Sequence, residues 1–382
     1  MLESEDIRAT RACVEAMGAH VATDGERVVV EGAGRLRSPE GVLDCMNSGT
    51  TMRLLMGVVA GSRLRATLDG DASLRRRPMR RVAGPLQTMG ARISLAPGDV
   101  APIRIEDGAA LHGIEYMLPV ASAQVKSALL LAGAFAEGTT VLRGLIHSRD
   151  HTERMLPHFG IELQTRRDEI VIEGGQRWHG ASVVVPGDPS TAAFWIAAAT
   201  IVPGSEIVLH NILLNPTRTG FIDVLRRMGA QIETQIERTE PEPIGTVRAR
   251  TARLVATTVV PDEIPALIDE IPLLAVLATY ADGTTAIRGA QELRVKESDR
   301  IETVAENLRA MGACVETLPD GFVIEGPQRL HGARIDPHGD HRIAMAFAVG
   351  ALGARGVTSI DGAECAAVSY PRFYETLTAL TR

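Results

Sequence analysis

A short phrase built around a glycine recurs along the chain and constrains its fold more than any other feature. Four copies are nearly identical: VEAMGAHV at 14–21, LQTMGARI at 86–93, LRRMGAQI at 225–232 and LRAMGACV at 308–315. A weaker copy, LPHFGIEL, occupies 156–163. The glycines lie roughly 70 to 80 residues apart, which is the spacing of repeated supersecondary units.

Each copy predicts the end of a helix, a glycine with positive φ just past it, and then a strand. A second strand and a turn follow four copies, as RVVVEGAG, IRIEDGAALHG, IVIEGGQRWHG and FVIEGPQRLHG. Between copies lie another strand and a long helix rich in Ala, as in 122–141 and 190–208. The predicted repeat is therefore βαβαββ. Chance recurrence of MGA in an Ala- and Gly-rich chain is the alternative, and the regular flanking patterns disfavour it.

The segment VVVPGDPS, at 183–190, divides the chain into two similar halves. A length of 382 residues also favours more than one hydrophobic core. We therefore expect an α/β protein with two domains, 1–185 and 186–382. Each domain is expected to hold three repeats, and the first repeat lacks its opening strand and helix.

Composition excludes several classes of function. A net charge of -7 and 3% aromatic residues argue against a nucleic-acid-binding protein. No apolar run reaches the ~18 residues of a membrane span, and the acidic start MLESEDIRAT does not resemble a signal peptide. We expect a cytoplasmic protein. The cysteines lack CxxC spacing and are expected to be reduced thiols; they are Cys13, Cys45, Cys314 and Cys365.

Two polar segments in the first half precede or contain a helix start. In DCMNSGTTMRLLMG, Asn47 and Gly49 lie where side-chain and backbone donors can bind an anion, although an ordinary N-cap explains the pattern equally well. In ASAQVKSALL, capping explains Ser122 but not Gln124. Between these segments, GDASLRRRPMRR holds five arginines. Such a run is usually a solvated surface, but Arg77 precedes a proline that restricts its backbone.

Three charged segments in the second half also begin helices. In PDEIPALIDEIPLLAVLA, Asp269 can accept a hydroxyl hydrogen bond or act as a base, or it can simply favour the helix dipole. RVKESDR contains Lys296, Glu297 and Arg300, a pattern that also occurs on plain surfaces. In DPHGDHRIAMAF, Arg342 stands at the start of an apolar helix, where an unpaired buried charge would be costly.

Cations at helix and turn starts in both halves fit a cleft between domains that binds small polyanions, because Arg grips carboxylate or phosphate bidentately. A metal site at His338 and His341 is disfavoured, since no third ligand has sensible spacing. No phosphate-binding GxxxxGK[ST], dinucleotide-binding GxGxxG or esterase GxSxG motif occurs. Nucleotide hydrolysis and dinucleotide redox chemistry are therefore poorly supported.

Taken in order, these segments resemble the 5-enolpyruvylshikimate-3-phosphate synthase family. The matching motifs cover essentially the whole chain and are NSGTTMR, SLRRRPM, SAQVKSALLLAG, IDEIPLLAVLA, RVKESDR and GDHRIAMAF. The SAQ, KESDR and GDHR motifs separate it from the related transferases that act on UDP-N-acetylglucosamine. The reactive loop cysteine of those transferases has no clear counterpart here.

The resemblance implies an enolpyruvyl transferase fold of two domains, each made of three βαβαββ repeats. It implies transfer of the enolpyruvyl group from phosphoenolpyruvate to the 5-hydroxyl of shikimate-3-phosphate, with release of phosphate and without a metal or organic cofactor. Proton transfer and charge stabilisation in a water-poor site are the physical requirements. We expect small-molecule substrates only, and a monomer.

The resemblance also implies residue roles. Asp269 and Glu297 are the acid/base candidates. The residues expected to bind phosphoenolpyruvate, in the pocket where the family's inhibitor glyphosate binds, are Asn47, Gly49, Arg77, Gln124, Arg300 and Arg342. The residues expected to bind shikimate-3-phosphate are Ser122, Ala123, Gln124, Ser148, Asp269 and Lys296.

The sequence departs from the family pattern in two places. Val368 stands where the family's C-terminal motif often has a lysine, which we interpret as a subgroup feature. Family members open with a PG-x-KS-x-S-x-R segment that binds both substrates, and no such segment occurs in this sequence. The resemblance therefore predicts impaired catalysis by the chain as written. The alternatives are a non-catalytic remnant that binds shikimate-3-phosphate and, less well supported, a UDP-N-acetylglucosamine enolpyruvyl transferase.

Overall fold

The computed structural model describes residues 4–32 and 34–381, and it is a mixed α/β structure. Its helices are α1 (Glu5–Ala16), α2 (Gly49–Gly61), α3 (Arg80–Thr88), α4 (Ala123–Phe135), α5 (His151–His158), α6 (Pro189–Ile201), α7 (Gly220–Arg227), α8 (Ile271–Ala278), α9 (Arg300–Ala310), α10 (His341–Ala351) and α11 (Phe373–Leu380). None of the helices in these two ranges is long and apolar enough to cross a membrane.

The strands are interspersed with the helices along the chain. They are β1 (His20–Asp24), β2 (Arg27–Glu31), β3 (Leu43–Asp44), β4 (Ala66–Asp69), β5 (Ile93–Ala96), β6 (Val100–Ile105), β7 (Glu115–Leu118), β8 (Thr139–Gly144), β9 (Leu163–Thr165), β10 (Glu169–Glu173), β11 (Glu206–Leu213), β12 (Gln231–Arg238), β13 (Ile244–Arg250), β14 (Thr258–Val259), β15 (Gly283–Ile287), β16 (Glu316–Leu318), β17 (Gly321–Gly326), β18 (Arg334–Ile335) and β19 (Ser359–Ile360).

The chain forms two compact units, Met1–Val183 and Val184–Arg382. Each has its own hydrophobic core, drawn from the helices and the inner faces of the strands. The interpretation of these units as two enolpyruvyl transferase domains, with limits 1–185 and 186–382, stays a prediction.

The predicted βαβαββ repeat is confirmed. The first unit holds two full copies, β3-α2-β4-α3-β5-β6 and β7-α4-β8-α5-β9-β10. Their sheets have the orders β3-β4-β6-β5 and β7-β8-β10-β9, with the first pair parallel and the others antiparallel. The second unit holds a third full copy, β14-α8-β15-α9-β16-β17, with the same order.

Three further repeats are shorter. The first described repeat is α1-β1-β2. In the repeat α6-β11-α7-β12-β13, the opening strand is reduced to a single bridge between Gly187 and Ile212. The last repeat, β18-α10-β19-α11, differs from the expected pattern, because no closing strand pair lies among the described residues. A 3-10 helix, Ala363–Val368, and α11 follow β19 instead.

The repeated glycine has positive φ in every copy, as predicted: Gly18 (101°), Gly90 (105°), Gly160 (86°), Gly229 (91°) and Gly312 (85°). A second requirement appears only in the structure. The chain returns over the glycine after the strand pair, and the His179 N–H donates to the Phe159 carbonyl at 3.0 Å. A Cβ atom at Gly160 would then lie 2.5 Å from the His179 ring. Glycine is therefore needed for both its conformation and its lack of a side chain.

The first helices of the two full repeats in the first unit pack backbone against backbone. A Cβ atom at Gly57 of α2 would lie 2.2 Å from the carbonyl oxygen of Ala128 in α4. Helix α4, AQVKSALLLAGAF, is rich in good helix formers and is buried along most of its length. This close contact places the beginnings of α2 and α4 in one region of the first unit.

Candidate active site

The predicted site residues lie at or near the starts of helices. Five of them lie at or before the second helix of a repeat (α3, α5 or α9), and they are Arg77, Ser148, Lys296, Glu297 and Arg300. The others lie at the first helices, which are α2, α4, α6, α8 and α10. Four of these helices have a side-chain N-cap: Ser48 on α2, Ser122 on α4, Asp188 on α6 and Asp340 on α10. Helix α8 is preceded instead by a 3-10 turn, Ile268–Glu270. Helix starts carry unpaired N–H groups and a partial positive charge, so this place favours anionic groups.

In the first unit, Asn47 connects two charged side chains just before α2. Its Oδ1 accepts a hydrogen bond from Arg77 Nη2 at 2.7 Å. Its Nδ2 donates to Asp71 Oδ2 at 2.6 Å. Because a carboxylate accepts only and a guanidinium donates only, the two neighbours determine which way the amide faces. The structure thus brings Asn47 and Arg77 together, as the sequence motifs suggested.

Gln124 joins the same region from α4. Its Oε1 accepts from Arg53 Nη1 at 2.7 Å, and its Nε2 donates to Thr50 Oγ1 at 2.8 Å. A Cβ atom at Gly49 would lie 2.8 Å from Arg53 Nη1 and 3.3 Å from Arg77 Nη1. The absence of a side chain at Gly49 therefore leaves room for two guanidinium groups beside the start of α2.

The other predicted residues of this unit lie at the start of α4 and after β8. Ser122 caps α4 by accepting from the Val125 N–H at 3.5 Å, and Ala123 is the first residue of the helix. Ser148 is 9% exposed, and its Oγ has no hydrogen-bond partner among the described residues. Lys126, in the first turn of α4, is buried and contacts the segment that carries Ser148.

In the second unit, Arg300 lies inside a group of carboxylates and is only 1% exposed. Its Nε donates to Asp340 Oδ2 at 2.7 Å and its Nη2 to Glu297 Oε2 at 2.6 Å, while Nη1 lies 3.5 Å from Asp269 Oδ1. Burial opposes the charge, but Asp340 and Glu297 outweigh burial and raise the pKa of Arg300. Burial likewise acts to raise the pKa of Asp340, and Arg300 outweighs it, so this pKa is lowered.

Asp269 is the common neighbour of three cations. Besides Arg300, Lys296 Nζ lies 3.5 Å from its Oδ1, and Arg342 Nη2 lies 3.8 Å from its Oδ2. Arg342 Nη1 is also 4.0 Å from Glu270 Oε1. The side chains of Lys296 and Arg342 are 31% and 16% exposed, so each of them can contact a ligand in addition to its contact with Asp269.

The two histidines of the last charged segment have different surroundings. His341 is buried, and burial together with the charge of Arg342 lowers its pKa to about 4. His338 is exposed, and its Nε2 lies 3.4 Å from Glu306 Oε2. In the part of the chain that the structure describes, no group of three His, Cys, Asp or Glu side chains could hold a metal ion.

One ion pair of the second unit was not predicted from the sequence. Arg218 Nη2 donates to Asp188 Oδ1 at 2.8 Å and to Ser190 Oγ at 2.9 Å. Burial acts to raise the pKa of Asp188, but Arg218 and Arg342 outweigh it and the pKa is lowered. The segment containing Asp188 was interpreted only as a boundary, although its Gly-Asp pair before a helix matches the pair at Asp340.

Comparisons with known proteins agree with one another. The family model for EPSP synthase (3-phosphoshikimate 1-carboxyvinyltransferase) matches residues 1–377. A 3-phosphoshikimate 1-carboxyvinyltransferase of Synechococcus sp. (strain JA-3-3Ab) is 51% identical over 98% of this chain and 86% of its own length. One from Geobacter sp. (strain M21) is 48% identical over 98% and 88%.

Solved structures give the same result. An EPSP synthase structure from Acinetobacter baumannii superposes with a TM-score of 0.87 at 40% identity, covering 100% of this chain and 88% of that one. The enolpyruvyl transferase NikO from Streptomyces tendae has a TM-score of 0.77 at 19% identity, covering 99% and 87%, and bears on the fold alone. These likenesses confirm the predicted α/β enolpyruvyl transferase fold.

Proposed function

Because the chain belongs to the EPSP synthase family, whose function is enolpyruvyl transfer, we propose that it moves the enolpyruvyl group of phosphoenolpyruvate to the 5-hydroxyl of shikimate-3-phosphate and releases phosphate. The observation that carries this proposal is the cluster in the second unit in which Lys296, Arg300 and Arg342 surround Asp269. Such a cluster combines charge for anionic substrates with a carboxylate for proton transfer.

Phosphoenolpyruvate carries a carboxylate and a phosphate, and both suit guanidinium groups. We assign Arg342 and Arg77 to its anionic groups, and we assign Asn47, Gly49 and Gln124, which belong with Arg77 to the first unit's network, to the same substrate. Each charge-assisted hydrogen bond contributes about 1.5–3 kcal/mol. Arg300 belongs to the same set. Its guanidinium contacts carboxylates in this structure, so a bound substrate would have to displace one of these carboxylates from it.

Shikimate-3-phosphate needs donors for its phosphate and partners for its hydroxyls. We assign Ser122, Ala123, Gln124 and Ser148 to it in the first unit. The Ser148 hydroxyl, buried without a partner among the described residues, supports this role because an unpaired buried hydroxyl is costly. In the second unit, we assign Lys296 and Asp269 to the shikimate hydroxyls.

The chemistry requires proton transfer at two atoms. The methylene carbon of phosphoenolpyruvate gains a proton as the 5-hydroxyl oxygen bonds to C2 and loses its own proton. The tetrahedral intermediate then loses a proton from the new methyl group as phosphate leaves. We assign these transfers to Asp269 and Glu297, each of which lies within reach of the Arg300 guanidinium that keeps it oriented.

The family acts on small-molecule substrates. We further propose that this chain acts as a cytoplasmic monomer without a nucleic-acid partner or cofactor. The net charge of -7 supports the absence of a nucleic-acid partner, because an acidic surface repels nucleic acid.

The test measures phosphate released from phosphoenolpyruvate with shikimate-3-phosphate, and with UDP-N-acetylglucosamine in its place. Asp269→Asn is expected to lower kcat by about 10²–10⁴-fold, the usual contribution of a positioned acid/base group. The matched control is Asp262→Asn, an exposed carboxylate on the preceding 3-10 helix, which is expected to leave kcat unchanged.

Three outcomes would contradict the proposal. Turnover only with the UDP-sugar would favour the related transferase. Binding of shikimate-3-phosphate by calorimetry without any turnover would favour a non-catalytic protein. Equal kcat for Asp269→Asn and the control would refute the role of Asp269. The same assay also gives the kcat of the wild-type chain.

A further inference from the structure

Helix α4 carries a lysine that the proposed chemistry does not use. Lys126 is 1% exposed and is, with Arg300, among the largest fully buried side chains of the described residues. A buried ammonium is costly unless each of its N–H groups has a partner. The acceptors around the Lys126 ammonium therefore decide whether it does more than pack within the helix.

All three donors of the Lys126 ammonium have acceptors nearby. Nζ donates to the Ile146 carbonyl at 3.0 Å and to the Ser148 carbonyl at 3.4 Å. It also pairs with Glu153 Oε1, on α5, at 2.5 Å. Two of the three contacts are thus to the backbone of one irregular segment, residues 145–150, which connects β8 to α5.

The backbone of Lys126 contacts Ser122, the other serine that we assign to shikimate-3-phosphate. Its N–H donates to the Ser122 carbonyl at 3.1 Å, the first hydrogen bond of α4. One residue therefore contacts both the helix cap at Ser122 and the segment that presents Ser148. The Ser148 hydroxyl is buried and has no partner among the described residues.

We propose that Lys126 is a positioning residue, which holds segment 146–148 against the start of α4 so that Ser148 and Ser122 keep the spacing that shikimate-3-phosphate requires. This inference rests on the proposed function, because it concerns the substrate assigned to those two serines. Lys126 itself touches no substrate in this proposal.

A role in stability alone explains the contacts less well. Burial raises the pKa of Glu153 even though Lys126 opposes the shift, so the ion pair only partly offsets the cost of desolvation. Well-packed apolar residues often replace such a pair without loss of stability. An apolar pair would, however, leave the Ile146 and Ser148 carbonyls without their donor.

The test separates charge neutralisation from positioning. Lys126→Met leaves Glu153 buried without its cation and can fail to fold, whereas Lys126→Met combined with Glu153→Gln removes both charges. We expect the double variant to unfold at a urea concentration close to that of the wild type. It still lacks the ammonium that donates to the Ile146 and Ser148 carbonyls. Its Kd and KM for shikimate-3-phosphate are expected to rise on the order of 10- to 100-fold, with kcat at saturating substrate little changed.

The matched control is Ser127→Ala. It removes a 2.6 Å hydrogen bond between Ser127 on α4 and Thr152 on α5, and leaves the carbonyls of segment 146–148 untouched. Its Kd for shikimate-3-phosphate is expected to equal that of the wild type. Amide hydrogen exchange of residues 146–148 is expected to accelerate in the double variant and not in the control.

The outcomes distinguish the two proposals. Wild-type Kd in a folded double variant would overturn the positioning role and leave the proposed function standing. A fall in kcat with unchanged KM would also overturn it, because that is the result of a smaller folded fraction. No binding of shikimate-3-phosphate by the wild-type chain would overturn the proposed function, and this inference with it.

Discussion

Acidification is expected to destabilise the second unit through one buried imidazole. Burial, aided by Arg342 and Arg300, lowers the pKa of His341 from 6.5 to about 4, although Asp340 and Glu297 oppose the shift. In the unfolded chain the imidazole gains a proton near its ordinary pKa of about 6.5. The folded unit excludes that proton until about pH 4. Between these values the unfolded state binds more protons, so a fall in pH favours unfolding.

The magnitude follows from the size of the interval. One pKa unit corresponds to about 1.4 kcal/mol, so lowering the pKa from 6.5 to about 4 contributes about 3 kcal/mol. This contribution is fully present above pH 6.5 and is lost as the pH falls through the folded value. It is a large share of the 5–15 kcal/mol by which proteins are usually stable.

The assay uses the position of the two tryptophans. Trp178 lies in the first unit, and Trp195 is buried in the second unit against Phe373. Trp178→Phe therefore leaves one tryptophan in the whole sequence, so its fluorescence reports urea unfolding of the second unit alone. Unfolding free energies are measured at intervals from pH 7 to pH 4.5 with and without His341→Asn.

The variant is expected to lose less stability than its parent over this range, by roughly 2 kcal/mol at pH 4.5. His338→Asn, three residues earlier, is the matched control, since its imidazole is about half exposed in the folded state. It is expected to follow the parent at every pH. The reasoning is refuted if the pH dependence of His341→Asn matches that of the parent, or if the control flattens it equally.

Two further changes test packing and charge. Gly57→Ala is expected to destabilise the first unit by about 1–3 kcal/mol, because its Cβ would overlap the Ala128 carbonyl. In Gly84→Ala on α3, the new Cβ would make only an ordinary contact with Arg80 Cδ at 3.9 Å, and this variant is expected to be more stable by up to about 1 kcal/mol. Equal urea midpoints for the two variants would contradict this. Asp340→Asn is expected to destabilise the second unit by about 3 kcal/mol, the low end for a broken buried pair, because Arg300 keeps other carboxylate neighbours. An unchanged Trp195 urea transition would be the contrary result.

Features governed by local rules could be predicted from the sequence. The positive φ of the repeated glycines, the helix starts and the order of strands follow from turn chemistry and hydrophobic period. The motif residues Asn47, Arg77 and Gln124 lie in one network, and Asp269 lies beside Arg300, as their shared chemistry suggested. Their roles toward substrates stay predictions.

Features that depend on distant partners could not be predicted. Nothing near Lys126 in the sequence indicates burial, because its acceptors are about 20 residues away on another segment. The burial of the Arg300 guanidinium depends on its ion pair with Asp340, which lies 40 residues later in the sequence. The fold alone creates these neighbours, since a single sequence carries no record of which distant charges meet.

The recurring helix start has a consequence for how such a protein can change. The core of each repeat is formed by apolar residues of its strands and helices, while many of the residues that we assign to substrates lie at a helix start, such as Asn47, Ser122 and Arg342. Evolution or an engineer could therefore replace one of these short segments and alter one ligand contact while the neighbouring repeats keep theirs. The repeated core is thus copied along the chain, and the helix-start segment of each copy is free to diverge.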